Sequence, residues 1–335
     1  MILVTGGTGL VGSHLLYQLT VENEKVKAIY RTEKSLEVVK KVFSYFTNDV
    51  ETLFSKISWI KADITDIPSL TTAFLDVDIV YHVAALVSFD DKEYRKMRQI
   101  NIDGTANIVN LCVSNAVKKM CFVSSIAAVG NSINNEIVTE ENEWSVESES
   151  NGYSITKHGA EMEVWRGSQE GIDVVIVNPG VILGAGFWNV NTGQFFSKVA
   201  NNFKFYTEGI TGFVGVNDVV KAMISLVKSD VKNERFILVS ENKSFKDVFT
   251  NIAEELHKKP PSIRVSKLLS SIFRRVDGFV TFVTRKKRLI TKDSVKSLHG
   301  KTEYTSEKIQ KAISFKFESI NQVIKEVCEV YEKEN

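Results

Sequence analysis

Apolar residues in the first half of the chain fall into short runs separated by longer stretches in which they recur every three or four positions. Ile2-Leu3-Val4 is the first run, and residues 26–30, 57–62, 79–83, 120–124 and 174–178 supply the others. Runs this short and this apolar suit strands covered on both faces. Helical spacing predicts helices over residues 10–20, 35–46, 69–74, 94–116 and 153–169. Strand and helix alternate, and right-handed crossovers turn that alternation into an α/β fold with a doubly wound parallel sheet. Residues 130–152 are polar, acidic and rich in serine and asparagine, which predicts a surface loop beside the site.

After Pro179 the regularity weakens, as glycines at 180, 184, 186, 193, 209, 212 and 215 cut the chain into short pieces. Helices are expected over 219–228, capped by Asp218, over 245–257 and over 320–331, with a strand at 236–239. The expected division is a dinucleotide-binding domain, residues 1–180, and a smaller mixed C-terminal substrate lobe, residues 181–335. Segments at about 213–240 would return to the sheet. Such a lobe stands over the C-terminal edge of the strands, where ligands bind in open α/β sheets.

The first run leads directly into Thr5-Gly6-Gly7-Thr8-Gly9-Leu10-Val11-Gly12. Gly6, Gly9 and Gly12 stand at the spacing that permits a sharp turn, close approach to a pyrophosphate, and tight packing of a helix on the sheet. Phosphate would sit at the N-terminus of that helix, where free N–H groups and the dipole favour negative charge. Following a strand and opening a helix, the trio reads as a Rossmann-type dinucleotide site rather than an ordinary turn.

Composition narrows the alternatives. The 335 residues carry 42 Lys and Arg against 41 Asp and Glu, so no overall field selects nucleic acid. No apolar run is long enough to span a bilayer. Met1 adjoins the first strand, and the expectation is a chain without a signal or transit peptide. Cys112, Cys121 and Cys328 are scattered without metal-ligand spacing, and reduced buried thiols in a cytoplasmic protein account for them.

Tyr153-Ser154-Ile155-Thr156-Lys157 puts a phenol and an ammonium four residues apart on one helix face. A phenol of ordinary pKa is a poor acid–base group at neutral pH. A lysine one turn away, with a positive nicotinamide ring beside it, would lower that pKa. Upstream, Cys121-Phe122-Val123-Ser124-Ser125 ends a strand in two hydroxyls at the sheet edge, and Ser125 there can hold a substrate carbonyl against Tyr153.

With the glycine turn, Ser125 and the Tyr153/Lys157 pair in this order, the chain resembles the extended short-chain dehydrogenase/reductase superfamily. Further matches are Asp63-Ile64, His82-Val83-Ala84-Ala85, Asn101-Ile102-Asp103-Gly104-Thr105, Asn178-Pro179-Gly180-Val181 and Phe213-Val214-Gly215-Val216-Asn217-Asp218-Val219. The resemblance implies that Asp63 and Ile64 contact the adenine and that Ala84 and Ala85 line the cofactor's path. It also implies that Pro179 and Val181 contact the cofactor and that Lys157 binds the nicotinamide ribose. Asn101 matches a position near the proton-relay region, with a structural role as the alternative. Residues 153–186, with Glu161, Trp165 and Gly171, look most like the dihydroflavonol-reductase-like group, which reduces carbonyls with NADPH.

Two departures separate the chain from sister families. Sugar-nucleotide dehydratases carry an acidic pair after the catalytic hydroxyl, where this chain has Ile126-Ala127. Epimerases usually show Arg-x-x-Asn-x-Tyr-Gly near the sixth strand, and Val175-Ile176-Val177-Asn178-Pro179-Gly180 keeps only the asparagine. At the end of the second strand, Ala28-Ile29-Tyr30-Arg31-Thr32 offers no carboxylate for a ribose 2′-OH. Arg31 can instead grip a 2′-phosphate with its planar fork. The expected cofactor is NADP(H), with NAD(H) as the alternative.

The expected activity is hydride transfer between that cofactor and a small-molecule carbonyl or alcohol, with Ser125, Tyr153 and Lys157 catalytic. Nucleotide-sugar epimerisation is the second reading, and a non-catalytic nicotinamide sensor the third. Helices 94–116 and 153–169 are candidates for a homodimer interface, by resemblance. Residues 267–291 form a basic amphipathic stretch, read here as packed on its own domain. The alternatives are contact with an anionic membrane surface or capping of an acidic ligand, such as the diphosphate of a nucleotide sugar.

Overall fold

The computed structural model describes residues 1–130, 136–145, 151–266 and 298–335, so the amphipathic stretch at 267–291 lies outside the described residues. Strands in chain order are β1 (Ile2–Thr5), β2 (Val26–Tyr30), β3 (Ile57–Lys61), β4 (Ile79–His82), β5 (Lys119–Val123) and β6 (Asp173–Pro179). They continue as β7 (Val181–Leu183), β8 (Phe205–Tyr206), β9 (Ile210–Gly215), β10 (Glu234–Leu238), β11 (Glu241–Ser244) and β12 (Ile263–Arg264). Helices of the first half are α1 (Leu10–Val21), α2 (Lys34–Ser44), α3 (Val50–Ser55), α4 (Ile67–Ala73), α5 (Tyr94–Arg98), α6 (Gly104–Ser114) and α7 (Gly152–Gln169). Those of the second are α8 (Gly193–Ala200), α9 (Val216–Lys228), α10 (Phe245–Glu255), α11 (Glu307–Ile313) and α12 (Ile320–Glu334).

Seven strands form one sheet in the order β10-β6-β5-β4-β1-β2-β3, all parallel, which is the doubly wound arrangement. Alternate side chains of each strand enter opposite cores. Val4, Tyr81 and Val175 face the core made with α1 and α9, while Leu3, Val80 and Ile176 face that made with α4, α6 and α7. Beyond Pro179 a three-stranded sheet, β11-β9-β7, and a parallel pair, β12 with β8, carry the smaller mixed part. Within 213–240, Glu234–Leu238 joins the large sheet, whereas β9 belongs to the small one. A third core, around Phe196, Phe213, Val248 and Ile324, ties α8, α10 and α12 to this small sheet.

Three expectations need correction. The helix predicted over 94–116 is interrupted: α5 passes through a π-helical turn, Gln99–Asp103, before α6 begins. Asn101 in that turn is buried, and its side chain exchanges hydrogen bonds with the backbone of Leu86 (2.7 and 3.0 Å) and donates to Thr156 Oγ1 (3.1 Å). Every bond of its side chain is therefore structural, and widening the turn is what lets it reach the loop after β4. Asp218 does not cap α9, which starts two residues earlier from Gly215; its carboxylate accepts the Glu318 N–H (2.8 Å). Residues 136–145 are not wholly surface, since Val138 is buried and Glu140 accepts the Ile237 N–H (2.8 Å) of β10.

Cys112, Cys121 and Cys328 are free and buried, and burial pushes all three thiol pKa values up. Among the described residues no helix is long and apolar enough to cross a membrane.

Candidate active site

A cavity of about 1030 Å³ opens along the C-terminal edge of the large sheet. Its first wall is the turn between β1 and α1. Gly6 has φ +69°, and a Cβ there would lie 2.5 Å from the Ala84 nitrogen. At Gly12 a Cβ would lie 2.1 Å from the Gly6 carbonyl oxygen, so α1 is pressed against the turn. Gly9 differs: its N–H donates to Gly6 O (3.0 Å), and a Cβ on it would meet nothing nearer than 3.4 Å. α1 begins at this open position without a side-chain cap, leaving its first N–H groups to the cavity. Backbone, helix terminus and free space together fit a pyrophosphate.

Farther along the edge, Ala84, Ala85, Asp63 and Ile64 line the same cavity, with Arg31 at its rim. The Arg31 side chain is 70% exposed, its Nη1 4.0 Å from Asp63 Oδ2. Burial raises the Asp63 pKa, but hydrogen bonds from Thr65 and the Arg31 charge outweigh it and hold the carboxyl below its ordinary value. Asp63 is thus occupied by its own loop, while the Arg31 fork is free toward solvent.

The reactive end is built where β5 stops. Ser125 caps a short 3₁₀ turn, Ile126–Ala128, accepting the Ala127 N–H on its Oγ (3.1 Å). Asn151 caps α7 by accepting the Tyr153 N–H (2.8 Å), which fixes Tyr153 in the first turn. The Tyr153 phenol and the Ser125 hydroxyl line the same cavity, and the Phe89 ring stands 6.1 Å from the phenol ring, centroid to centroid. One turn on, Lys157 is 2% exposed, donates from Nζ to Val123 O (2.7 Å), and lies 4.4 Å from the Phe122 ring centre.

The expected lowering of the phenol pKa draws on a nicotinamide ring as well as Lys157, and the protein's own groups act in the other direction. Burial raises the Tyr153 pKa above its ordinary value, against the opposing hydrogen bond with Ser125. Burial also pushes Lys157 down to about 7, with Glu161 holding it up. Desolvation disfavours both charged forms at once. In this state Tyr153 is a phenol, ready to donate a proton.

Of the predicted site residues, Gly6, Gly9, Leu10, Val11, Arg31, Asp63, Ile64, Ala84, Ala85, Ser125, Tyr153, Lys157 and Val181 all line this cavity. Gly12 and Pro179 do not: Gly12 acts from behind the turn, and Pro179 is buried at the end of β6. Sequence reasoning missed the far wall, where Val87, Phe89, Phe195, Ile210, Phe245 and Tyr304 converge. They come from separate segments and share no spacing that could have marked them. Lys96, also on that side, was hidden in what looked like an ordinary helix face.

Comparison with known proteins places the chain in a family. A family model described as male sterility protein, of the NAD-binding class, matches residues 4–231. The chain is 28% identical over 246 residues to sterol demethylase protein B of Methylococcus capsulatus, covering 72% of this chain and 70% of that one. To anthocyanidin reductase of Arabidopsis thaliana it is 28% identical over 277 residues, covering 73% and 77%. Among solved structures, UDP-glucose 4-epimerase of Thermotoga maritima superposes with a TM-score of 0.78 at 18% identity, over 99% of both chains, which is likeness of fold. The family match spans more than half of the 335 residues and contains the whole Gly6–Ser125–Tyr153–Lys157 constellation: the chain belongs to the NAD-binding male sterility protein family, within the extended short-chain dehydrogenase/reductase superfamily.

Proposed function

We propose that the protein is an NADP(H)-preferring oxidoreductase that reduces a ketone or aldehyde, or oxidises the corresponding alcohol. One observation carries the reading: Ser125, Tyr153 and Lys157 meet on one wall of the cavity whose other end is the Gly6–Gly9 turn. The turn and the α1 N-terminus would hold the pyrophosphate, Arg31 a 2′-phosphate, Asp63 and Ile64 the adenine, and Lys157 the ribose. Bound there, the cofactor supplies or accepts the hydride.

The chain's own groups do the rest. Ser125 Oγ and the Tyr153 hydroxyl donate to the substrate carbonyl oxygen, polarising it. As negative charge develops on that oxygen, Tyr153 transfers its proton to it. The Lys157 ammonium stabilises the phenolate left behind. In the oxidative direction the same groups act in reverse, with Tyr153 as base.

Reduction is favoured over epimerisation by the far wall. A nucleotide sugar brings a diphosphate that needs cations or backbone donors. Besides Arg31 and Lys157, the described lining residues include only Lys96 as a cation, while Val87, Phe89, Phe195 and Phe245 add apolar surface. Such a surface suits an apolar or aromatic carbonyl. The names of relatives include both anthocyanidin reductase and UDP-glucose 4-epimerase, so the test must separate the two.

That test is NADPH oxidation against a panel of aldehydes, ketones and nucleotide sugars, with Tyr153→Phe as control. Turnover of carbonyls that vanishes in Tyr153→Phe supports the proposal. Interconversion of nucleotide sugars without net NADPH consumption overturns it.

A further inference from the structure

Three consecutive residues at the end of β5 are each held from a different direction. Lys157 Nζ donates to Val123 O (2.7 Å), Ser124 Oγ donates to Glu161 Oε2 (2.7 Å), and Asn178 Nδ2 donates to Ser125 O (3.0 Å). Asn178 Nδ2 also lies 3.0 Å from the same Glu161 oxygen. From the sheet edge, Arg235 Nη1 of β10 reaches Glu161 Oε1 at 3.3 Å. The Glu161 side chain is fully buried, one helical turn beyond Lys157, and it does not line the active-site cavity.

If anchoring were the only task, a neutral glutamine would serve, since its amide oxygen can accept from Ser124 and Asn178. A carboxylate adds something the amide lacks, a negative charge one turn from a buried ammonium. In a poorly polarisable interior that charge decides whether the ammonium persists.

We propose that Glu161, with Arg235 as its counter-ion, is a positioning residue that fixes residues 123–125 and sets the ionisation of Lys157. The proposal rests on reading Tyr153 and Lys157 as the catalytic pair. Glu161 touches neither substrate nor cofactor and acts through Lys157, Ser124 and Asn178.

The groups facing Lys157 give the direction of the effect. On its own helix this is Glu161, while His158 turns away to stack on Trp144 at 4.1 Å. From β4 comes His82, which burial pushes down to about 3 and which is therefore neutral. β5 contributes the Phe122 face, and Arg235 stands behind Glu161 from β10. Glu161 is the one carboxylate of this set. Removing it destabilises the ammonium, whereas removing Arg235 leaves Glu161 to act on Lys157 alone and stabilises it. Loss of packing would give no such opposition of sign.

The experiment is NMR titration of the full chain carrying ¹³Cε-labelled lysine, with the Lys157 signal assigned from a Lys157→Arg sample. Glu161→Gln should lower the Lys157 midpoint by about one pH unit, the low end of the range for loss of an opposite charge. Arg235→Gln should raise it, and Glu161→Asp should return it toward the wild-type value. The alkaline limb of kcat/KM for carbonyl reduction should follow the same shifts, since activity needs the ammonium and declines as pH passes its midpoint. An unchanged midpoint in Glu161→Gln, or shifts of the same sign in Glu161→Gln and Arg235→Gln, overturns the proposal. Should Glu161→Gln fail to fold, Arg235→Gln decides, with a rise in support and a fall or no change against. Absence of carbonyl turnover would refute the assigned function alone, because the NMR midpoints are read without catalysis.

Discussion

The two ends of the cavity are built from different materials. At the end proposed for the cofactor the wall nearest the pyrophosphate position is backbone, the Gly6–Gly9 turn, the α1 terminus and the loop carrying Ala84, with only Arg31, Asp63 and Ile64 adding side chains farther along. These parts are adjoining strands and turns of one sheet, and their spacing leaves no room for a methyl group at Gly6 or Gly12. At the other end the walls are side chains delivered by separate pieces, Phe89 after β4, Phe195 from α8, Ile210 from β9 and Phe245 from α10. On the proposed reading, the backbone site would recognise what every reaction of such an enzyme shares, namely the cofactor. A side-chain site can be rebuilt without disturbing the sheet, and that is where selectivity for one carbonyl over another would reside.

The largest expected effect lies where the two ends meet. Tyr153→Phe removes one hydroxyl and leaves the ring in place against Phe89. We expect kcat to fall about 10³-fold, the usual scale for a general acid, equally for every carbonyl, with NADPH affinity nearly unchanged. A loss that varied strongly among substrates would place Tyr153 with the side-chain end and break the division.

Next comes Gly12→Ala. Its Cβ would lie 2.1 Å from Gly6 O and 2.8 Å from Gly7 Cα, both backbone atoms with little freedom to move. Overpacking of this kind costs about 3 kcal/mol, read as a lowered urea midpoint together with weakened binding of both NADPH and NADH. Unchanged stability and binding would show that the cofactor end tolerates more than its geometry implies.

The same division explains what could be read from the chain. Ile2-Leu3-Val4 and the glycine trio are contiguous, and a parallel strand followed by a tight turn has few alternative folds, so fold class and cofactor wall were visible together. Tyr153 and Lys157 were visible because helical spacing puts both on one face. Phe195, Ile210 and Phe245 were not, because their convergence is made by β7, β9 and β11, short strands in a mixed sheet whose partners are distant in sequence. The break at Asn101 escaped for a related reason: Asn101 is bonded to Leu86, fifteen positions away, and no local pattern records that contact. Glu161 stood in plain view beside the proposed catalytic pair, but its partners Ser124, Asn178 and Arg235 come from three different strands or strand ends.

Arg31→Ala sharpens the cofactor end alone. The guanidinium is largely exposed and only loosely paired with Asp63, so its loss leaves the fold intact. We expect NADPH affinity to fall about tenfold, or about 1.4 kcal/mol, with NADH affinity unchanged. Equal losses for the two would show that Arg31 does not read the 2′-phosphate.

Phe89→Ala probes the opposite end, where the smallest effect is expected. The ring is 40% exposed, lines the cavity, and leans toward Tyr153 without being part of a core. Truncating it therefore creates no internal void, and stability should stay within about 0.5 kcal/mol of wild type. An aromatic substrate held beside Tyr153 would lose one ring contact, worth about 0.7 kcal/mol. KM for an aromatic aldehyde should rise about threefold, while KM for a short aliphatic aldehyde and kcat for both stay constant. A change in kcat shared by both substrates would mean that Phe89 orients the phenol itself, and the boundary between the two ends would then have to be drawn on the far side of that ring.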